Sequence, residues 1–160
     1  MESGGCIIID CRDFGIELSL ALRLSGGQVT NVEFNDAILA TQYDDKIPLH
    51  INIAQQLLGY LRGDRDRFSL PLLTSGTPFQ QRVWQALQAI PYGQVLSYGA
   101  LAKQLGSSAR AIGGACRANP IPVIIPCHRV VAAHDIGGFS GDRYGGKVII
   151  KQWLLAHEQD

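Results

Sequence analysis

Residues 16–24 alternate strictly, with Ile16, Leu18, Leu20, Leu22 and Leu24 separated by Glu17, Ser19, Ala21 and Arg23. A side-chain period of two is that of a strand with one face buried. Ser25-Gly26-Gly27 breaks the run and residues 29–34 alternate again, so the two segments predict a β-hairpin. Residues 7–9 supply a third strand, residues 51–61 read as a helix, and residues 68–72 read as a short strand.

After Leu73-Thr74-Ser75-Gly76 the period changes. Thr77-Pro78 opens a helix with a capping hydroxyl and a proline whose missing N–H costs nothing at the first helical position. Phe79, Val83, Trp84, Leu87 and Ile90 follow at helical spacing, and Pro91-Tyr92-Gly93 stops the run. A second helix starts at Ser97 and ends at Gly106, and Ser107-Ser108 cap a third over residues 109–118. Residues 97–118 thus carry the rhythm of a helix-turn-helix, which plain helical hairpins share. In the third helix Ala111, Gly113, Gly114 and Ala115 crowd together, and each glycine costs ~1 kcal/mol relative to alanine. Close packing against another helix is the commoner reason for such glycines. Close approach by an outside partner, such as the floor of a DNA groove, is the other.

Pro120, Pro122 and Pro126 punctuate residues 119–131 and forbid a regular helix, so this apolar segment is expected to be stiff, largely extended and buried. Residues 135–146 are glycine-rich and loop-like, and residues 148–157 form an amphipathic helix. The expected class is α+β. A small N-terminal sheet-plus-helix domain (residues 1–73) precedes a mainly helical C-terminal domain (residues 74–160) that holds the helix-turn-helix.

Composition places the 160 residues among globular chains, with 46% hydrophobic and 18% charged. No apolar run approaches the roughly 18–20 residues of a membrane helix, and the start MESGGCIIIDCRD has an acid where a signal peptide carries Lys or Arg. The expected compartment is the cytoplasm, or the nucleus in a eukaryotic host, with no membrane partner. Cys6, Cys11, Cys116 and Cys127 form no C-x-x-C and no disulfide framework. Cys6, Cys11 and His50 match no usual zinc spacing and lack a fourth ligand, so no metal is expected. A Cys6–Cys11 disulfide suits only a thermophile.

The formal net charge is zero, which disfavours an architectural DNA-binding protein. Its distribution changes the picture. Residues 1–69 hold ten of the fourteen acids, whereas residues 70–134 hold none and carry Arg82, Lys103, Arg110, Arg117 and Arg129. Such a stretch can lie against phosphates without internal repulsion, and an ordinary, mildly basic surface is an equal alternative.

Cysteines in apolar runs are mostly inert packing, the reading for Cys6, Cys11 and Cys116. Cys127 differs, because Pro126, His128 and Arg129 flank it. The thiolate is the nucleophile, and nearby positive charge lowers a thiol from its free value of about 8.5. Neighbours in an extended chain point to opposite faces, so His128 is expected to reach Cys127 through a water. The imidazole then needs an anion behind it, for which Glu158, Asp135, Asp142 and Asp160 are the candidates.

Ile125-Pro126-Cys127-His128-Arg129-Val130-Val131 closely resembles the active-site segment of the O6-alkylguanine-DNA alkyltransferases. The resemblance runs upstream through Thr77-Pro78-Phe79-Gln80, Val83-Trp84, Ile90-Pro91-Tyr92-Gly93, Ser97-Tyr98-Gly99, Ala109-Arg110-Ala111-Ile112-Gly113-Gly114-Ala115 and Asn119-Pro120. Downstream it takes in Gly138-Phe139-Ser140-Gly141 and Lys151-Gln152-Trp153-Leu154-Leu155-Ala156-His157-Glu158. About half the chain is covered, in order and in register.

The resemblance implies that Cys127 accepts the alkyl group, that His128 deprotonates it through water, that Glu158 orients His128 and that Asn119 braces the segment. It places the third helix in the minor groove, with Arg110, Ala111, Gly113, Gly114 and Arg117 against DNA and Arg110 filling the stack left by a flipped nucleotide. Tyr98 would help turn the nucleotide out, and Tyr98, Val130, Phe139 and Ser140 would line the base pocket. Without the resemblance Tyr98 reads as a core aromatic. The implied partner is double-stranded DNA carrying O6-alkylguanine, with O4-alkylthymine as a second lesion. The protein would act as a monomer, with cooperative loading on DNA left open. No cofactor is implied, and the thioether product would end the life of each molecule.

Two features qualify the resemblance. About five extra residues within 142–148 separate Ser140 from the final helix, and Phe139 with Ser140 suits a pocket for groups bulkier than methyl. Rival readings fare worse. An alkyltransferase-like recognition protein lacks the acceptor cysteine, and a Cys–His hydrolase needs a direct contact that adjacent Cys127 and His128 make awkward.

Overall fold

The computed structural model describes residues 5–133, 137 and 146–159. The chain divides into two compact units, Met1–Thr74 and Ser75–Asp160. The mixed α+β class read from the sequence is the one observed.

In the first unit β1 (Gly5–Asp10), β2 (Ser19–Ser25) and β3 (Gln28–Asn35) form an antiparallel sheet in the order β1-β2-β3. Ile7 faces Leu22, Ile9 faces Leu20, and Leu22 faces Val32, so the alternating apolar positions meet across the strands. The hairpin closes through Gly26 (φ 58°) and Gly27 (φ 79°), two successive left-handed residues that only glycine adopts cheaply. Helix α1 (Pro48–Arg62) packs on β1 and buries Ile53, Ala54, Leu57 and Tyr60.

Two expectations are corrected here. Residues 16–18 alternate like a strand but belong to the turn before β2, where Cys11 N donates to Leu18 O (3.0 Å) and Leu18 N to Ile16 O (3.0 Å). Residues 68–72 form only one bridge, Val29 with Leu72. Val29 N donates to Pro71 O (2.8 Å), but Pro71 has no N–H to extend a ladder. Gln56 ties the segment down instead, accepting from Ser69 N (2.8 Å) and donating to Ser69 O (3.1 Å).

In the second unit α2 (Pro78–Gln88) starts with a full capping box, in which Thr77 Oγ1 accepts from Gln80 N and Gln80 Oε1 accepts from Thr77 N. Trp84 is buried and donates Nε1 to Ala115 O (2.9 Å). Gly76 makes room for that indole, since a Cβ there would lie 2.6 Å from its ring. β4 (Leu96–Ser97) runs directly into α3 (Tyr98–Leu105), capped by Ser97. Gly106, at φ 64°, turns the chain, and Ser108 caps α4 (Ala109–Arg117) through Ala111 N. Helices α3 and α4 pack on each other in the sequence of a helix-turn-helix.

The proline-rich segment is buried as expected, every residue from 121 to 130, but it is not extended. Ile125 N donates to Ile121 O (2.9 Å), and Cys127 N donates to Ile125 O (2.8 Å) across Pro126 (φ −82°, ψ 66°), an inverse γ-turn. Cys127–Arg129 is a turn of 3-10 helix, leading into β5 (Val130–Val131). Proline fixes φ but tolerates turns as readily as extension, so the residue pattern alone did not separate the two. Val123, at φ 73°, is a β-branched residue in the left-handed region, a conformation worth ~1–3 kcal/mol of strain that its buried side chain holds in place. β5 pairs in parallel with β4, Leu96 to Val130 and Ser97 to Val131, so the segment carrying Cys127 is stitched to the strand that launches α3. Helix α5 (Gly146–His157) closes the unit. Among the described residues no helix is long and apolar enough to cross a membrane.

Candidate active site

Cys127, His128 and Arg129 occupy one buried 3-10 turn. Successive side chains of such a turn diverge by about 120°. His128 therefore points away from Cys127 for a different reason than strand alternation.

Lys151 and Leu154 on α5 and Glu158 just past its end recur at helical spacing on the face turned inward, and all three are buried. Glu158 extends the last turn, its N–H donating to Leu154 O (3.1 Å). Its carboxylate Oε2 lies 2.7 Å from His128 Nε2. Arg129 grips the same carboxylate with two donors, Nε to Oε1 (2.9 Å) and Nη2 to Oε2 (3.0 Å), and gives Nη1 to Ile90 O (2.7 Å). The Pro91-Tyr92-Gly93 turn clasps the same helix end, with Gly93 N donating to Glu158 Oε1 (3.4 Å) and Gln159 Nε2 to Gly93 O (2.8 Å). Gly93 must be glycine there, because its φ is 80° and a Cβ would meet Glu158 O at 3.1 Å. Of the four candidate anions Glu158 is the one at the imidazole; Asp135, Asp142 and Asp160 lie outside the described residues.

Burial pushes the Cys127 thiol up to about 11, against hydrogen bonding from Asn119 and the charge of Lys151, which both favour the thiolate. The charge of Lys151 acts in the direction expected of a neighbouring cation, but Arg129 spends its charge on Glu158 and desolvation outweighs what remains. Burial also lowers His128, with Glu158 opposing and Arg129 and Lys151 reinforcing. In its neutral form the imidazole would donate Nε2–H to this carboxylate, whose charge Arg129 also meets. Nδ1 then carries the lone pair, and it is buried without a hydrogen-bond partner among the described residues.

An unfolded histidine takes up its proton near 6.5, before the folded one does, so stability is present above that pH and lost as pH falls below it. Thermal melts followed by circular dichroism should show the wild type losing more stability as pH falls below about 6.5 than His128→Gln does.

Asn119 staples the turns, donating Nδ2 to Ile125 O (2.9 Å) and accepting from Ile121 N (2.9 Å). Tyr98 is half-buried at the start of α3, with the Lys151 ammonium 5.7 Å from its ring centre. Lys151 also donates to the Val130 carbonyl (2.7 Å). Gly137 lies so close that a Cβ would meet the Tyr98 ring at 2.9 Å. Val130 is buried within the segment, and Phe139 and Ser140 lie outside the described residues, as do 142–145 of the longer loop.

On α4 the outer face reads Arg110, Gly113, Gly114, Arg117, spaced i, i+3, i+4, i+7, with Ile112, Ala115 and Cys116 buried on the other side. Among the described residues a Cβ on Gly113 or Gly114 would meet nothing within 4 Å. Close packing against another helix is therefore excluded as the reason for these glycines. Ala111 is half-buried beside the stripe. Arg110 and Arg117 are exposed and hold no partner among the described residues, whereas Arg82 donates to Leu105 O (3.0 Å) at the end of α3.

Burial pushes Cys11 and Cys116 up to about 12, as befits packing cysteines, but Cys6 is exposed. Cys6 and Cys11 are both free thiols. Among the described residues no three His, Cys, Asp or Glu side chains gather as metal ligands.

Sequence reasoning did not assign Arg129 and Lys151, although a signal for each was present. A charged residue inside an all-buried apolar run requires a partner, and Lys151 shares the inward phase of Leu154 and Glu158.

Fold and site together define a helix-turn-helix unit built around a buried cysteine with a histidine–carboxylate–arginine array. A family model described as the 6-O-methylguanine DNA methyltransferase DNA binding domain matches residues 78–160. A constitutive methylated-DNA–protein-cysteine methyltransferase of Bacillus subtilis is 40% identical over 140 residues, covering 86% of this chain and 82% of the relative. The methylated-DNA–protein-cysteine methyltransferase of Mycobacterium leprae is 39% identical, covering 95% and 93%. The crystal structure of Mycobacterium tuberculosis OGT in complex with DNA superposes with a TM-score of 0.72 at 38% identity, covering 88% of this chain and 86% of that one. The chain belongs to the 6-O-methylguanine DNA methyltransferase family.

Proposed function

We propose that this chain repairs duplex DNA by moving an alkyl group from O6 of guanine, or O4 of thymine, to the sulfur of its own Cys127, once per molecule. The observation that carries this reading is one unit that combines a buried Cys127 beside a carboxylate-anchored His128 with an α4 face of Arg110, Gly113, Gly114 and Arg117 open to an outside surface.

The geometry supports the following sequence of events. Arg110 and Arg117 contact phosphates or the stack, and the bare backbone at Gly113 and Gly114 lets α4 sink into the minor groove. A paired guanine hides O6, so the nucleotide must turn out of the helix. Arg110 fills the gap, and Tyr98 and Val130 line the base pocket, to which the family resemblance adds Phe139 and Ser140. His128 Nδ1 takes the Cys127 proton through a water, while Glu158 stabilises the imidazolium that forms. The thiolate attacks the alkyl carbon, a carbon–sulfur bond forms, and the carbon–oxygen bond breaks with its electron pair on the departing base. A thioether has no leaving group that water can displace, so one transfer ends the protein's activity.

Two predictions separate the parts. Gly113→Ala and Gly114→Ala should each raise stability by up to ~1 kcal/mol in thermal melts, yet weaken duplex binding in fluorescence anisotropy. A loss of stability would mean the glycines serve the fold. Arg110→Ala should slow transfer from duplex far more than transfer from free O6-benzylguanine, and equal losses would remove Arg110 from nucleotide flipping. The proposal as a whole is tested by counting transfers from duplex carrying a labelled O6-methyl group. Label should stop at one per protein, and continued turnover would overturn it.

A further inference from the structure

We propose that Arg129 is a positioning residue of the transfer site: its two-pronged ion pair with Glu158 keeps His128 uncharged, with Nε2–H turned to the carboxylate and Nδ1 left to accept a proton. The inference extends the reading of Cys127 as acceptor and His128 as base.

Glu158 Oε2 serves two donors, His128 Nε2 at 2.7 Å and Arg129 Nη2 at 3.0 Å, and its Oε1 serves Arg129 Nε at 2.9 Å and Gly93 N at 3.4 Å. The carboxylate is thus saturated by donors, and its charge is matched before the imidazole contributes any. Arg129 is itself locked by Ile90 O at 2.7 Å and lies over the Tyr92 ring at 5.7 Å, so it cannot swing away. A planar fork is what bidentate carboxylate recognition requires.

A histidine alone with a buried glutamate would be drawn into an imidazolium–carboxylate pair. An imidazolium has no lone pair and cannot take the thiol proton. The charged groups acting on His128 are Glu158 and Lys151 from α5 and Arg129 from its own turn, so a proton on the ring would make two cations into three around one anion. Burial and the same two cations lower His128, in the direction this account requires. Arg129 thus lets Glu158 orient the ring, and stabilise it when it takes up the thiol proton, without charging it beforehand.

Nitrogen-15 and carbon-13 NMR of the histidine ring reads the charge and tautomer directly and needs no alkyl substrate. Wild-type His128 should be the neutral Nε2–H form at pH 7 and should titrate below the free-histidine value of 6.5. Arg129→Gln should titrate His128 at least ~1 pH unit higher, and the acid limb of the rate profile with free O6-benzylguanine should move up with it. Arg129→Lys keeps the charge and should return His128 most of the way to the wild-type titration. An imidazolium in the wild type at pH 7, an Arg129→Gln titration that does not differ from the wild type's, or an Arg129→Lys titration no closer to the wild type than that of Arg129→Gln, would overturn the proposal. If His128 behaves as stated while Cys127 receives no alkyl group, the assignment of transfer fails and the Arg129 inference stands.

Discussion

Cys127→Ser is expected to bind duplex DNA like the wild type and to transfer no alkyl group at all. The sulfur is the sole nucleophile in the scheme. A serine hydroxyl in the same buried turn keeps the contacts available to a small polar side chain, but burial holds even the thiol up to about 11 and an alcohol is a far weaker acid. The α4 face proposed to meet DNA is made by Arg110, Gly113, Gly114 and Arg117, none of which the substitution touches. Electrophoretic mobility shift on a duplex with one O6-methylguanine, paired with a labelled-methyl transfer assay, checks both halves. Retained transfer would move the acceptor elsewhere, to Cys116 in the first instance.

Glu158→Gln should be the most damaging isosteric change in the protein, through two separable effects. It leaves the Arg129 guanidinium buried without its counter-charge, and breaking a buried pair by removing one partner costs ~3–5 kcal/mol, with the remaining amide contacts favouring the lower end. It also removes the group that fixes the His128 tautomer and stabilises the imidazolium, for which general-base catalysis gives a rate loss of ~10²–10⁴-fold. Denaturant unfolding followed by single-turnover transfer well below the midpoint distinguishes the two. A stability loss with unchanged transfer in the folded fraction would restrict Glu158 to a structural part.

The hairpin, the helix starts at Thr77, Ser97 and Ser108, and the glycine stop at Gly106 were legible because each depends on local chemistry: alternation, a capping oxygen, or a left-handed turn. The turns from Ile121 to Arg129 were not, because proline marks a rigid segment without saying which rigid conformation it takes. Their shape depends on Asn119 spanning to Ile125 and on Val123 entering the left-handed region, and both are consequences of packing. The two-residue pairing of Leu96–Ser97 with Val130–Val131 was invisible for the same reason, being too short to carry a period.

The site shows the same division. Cys127, His128 and Asn119 stand together in sequence, and Glu158 was reached through the scarcity of acids in the second half and the family resemblance. In the sequence Arg129 reads as one more basic residue of the acid-free stretch and as a charge near the thiol. Its actual work is on the carboxylate, which no neighbour-by-neighbour reading of the segment supplies, because Glu158 is brought back by a helix 29 residues on. The glycines of α4 reversed their prior in the opposite sense: internal packing is the usual cause, and only the open space around their missing Cβ atoms showed that the backbone faces outward.

The measurement that bears most directly on the central claim is intact-protein and peptide mass spectrometry after mixing the protein with a duplex carrying a single O6-methylguanine. The account predicts one added methyl group per protein, located on Cys127, with the guanine restored and no further conversion when DNA is in excess. An unmodified protein still bound to the lesion, or repaired DNA in excess over protein, would contradict it.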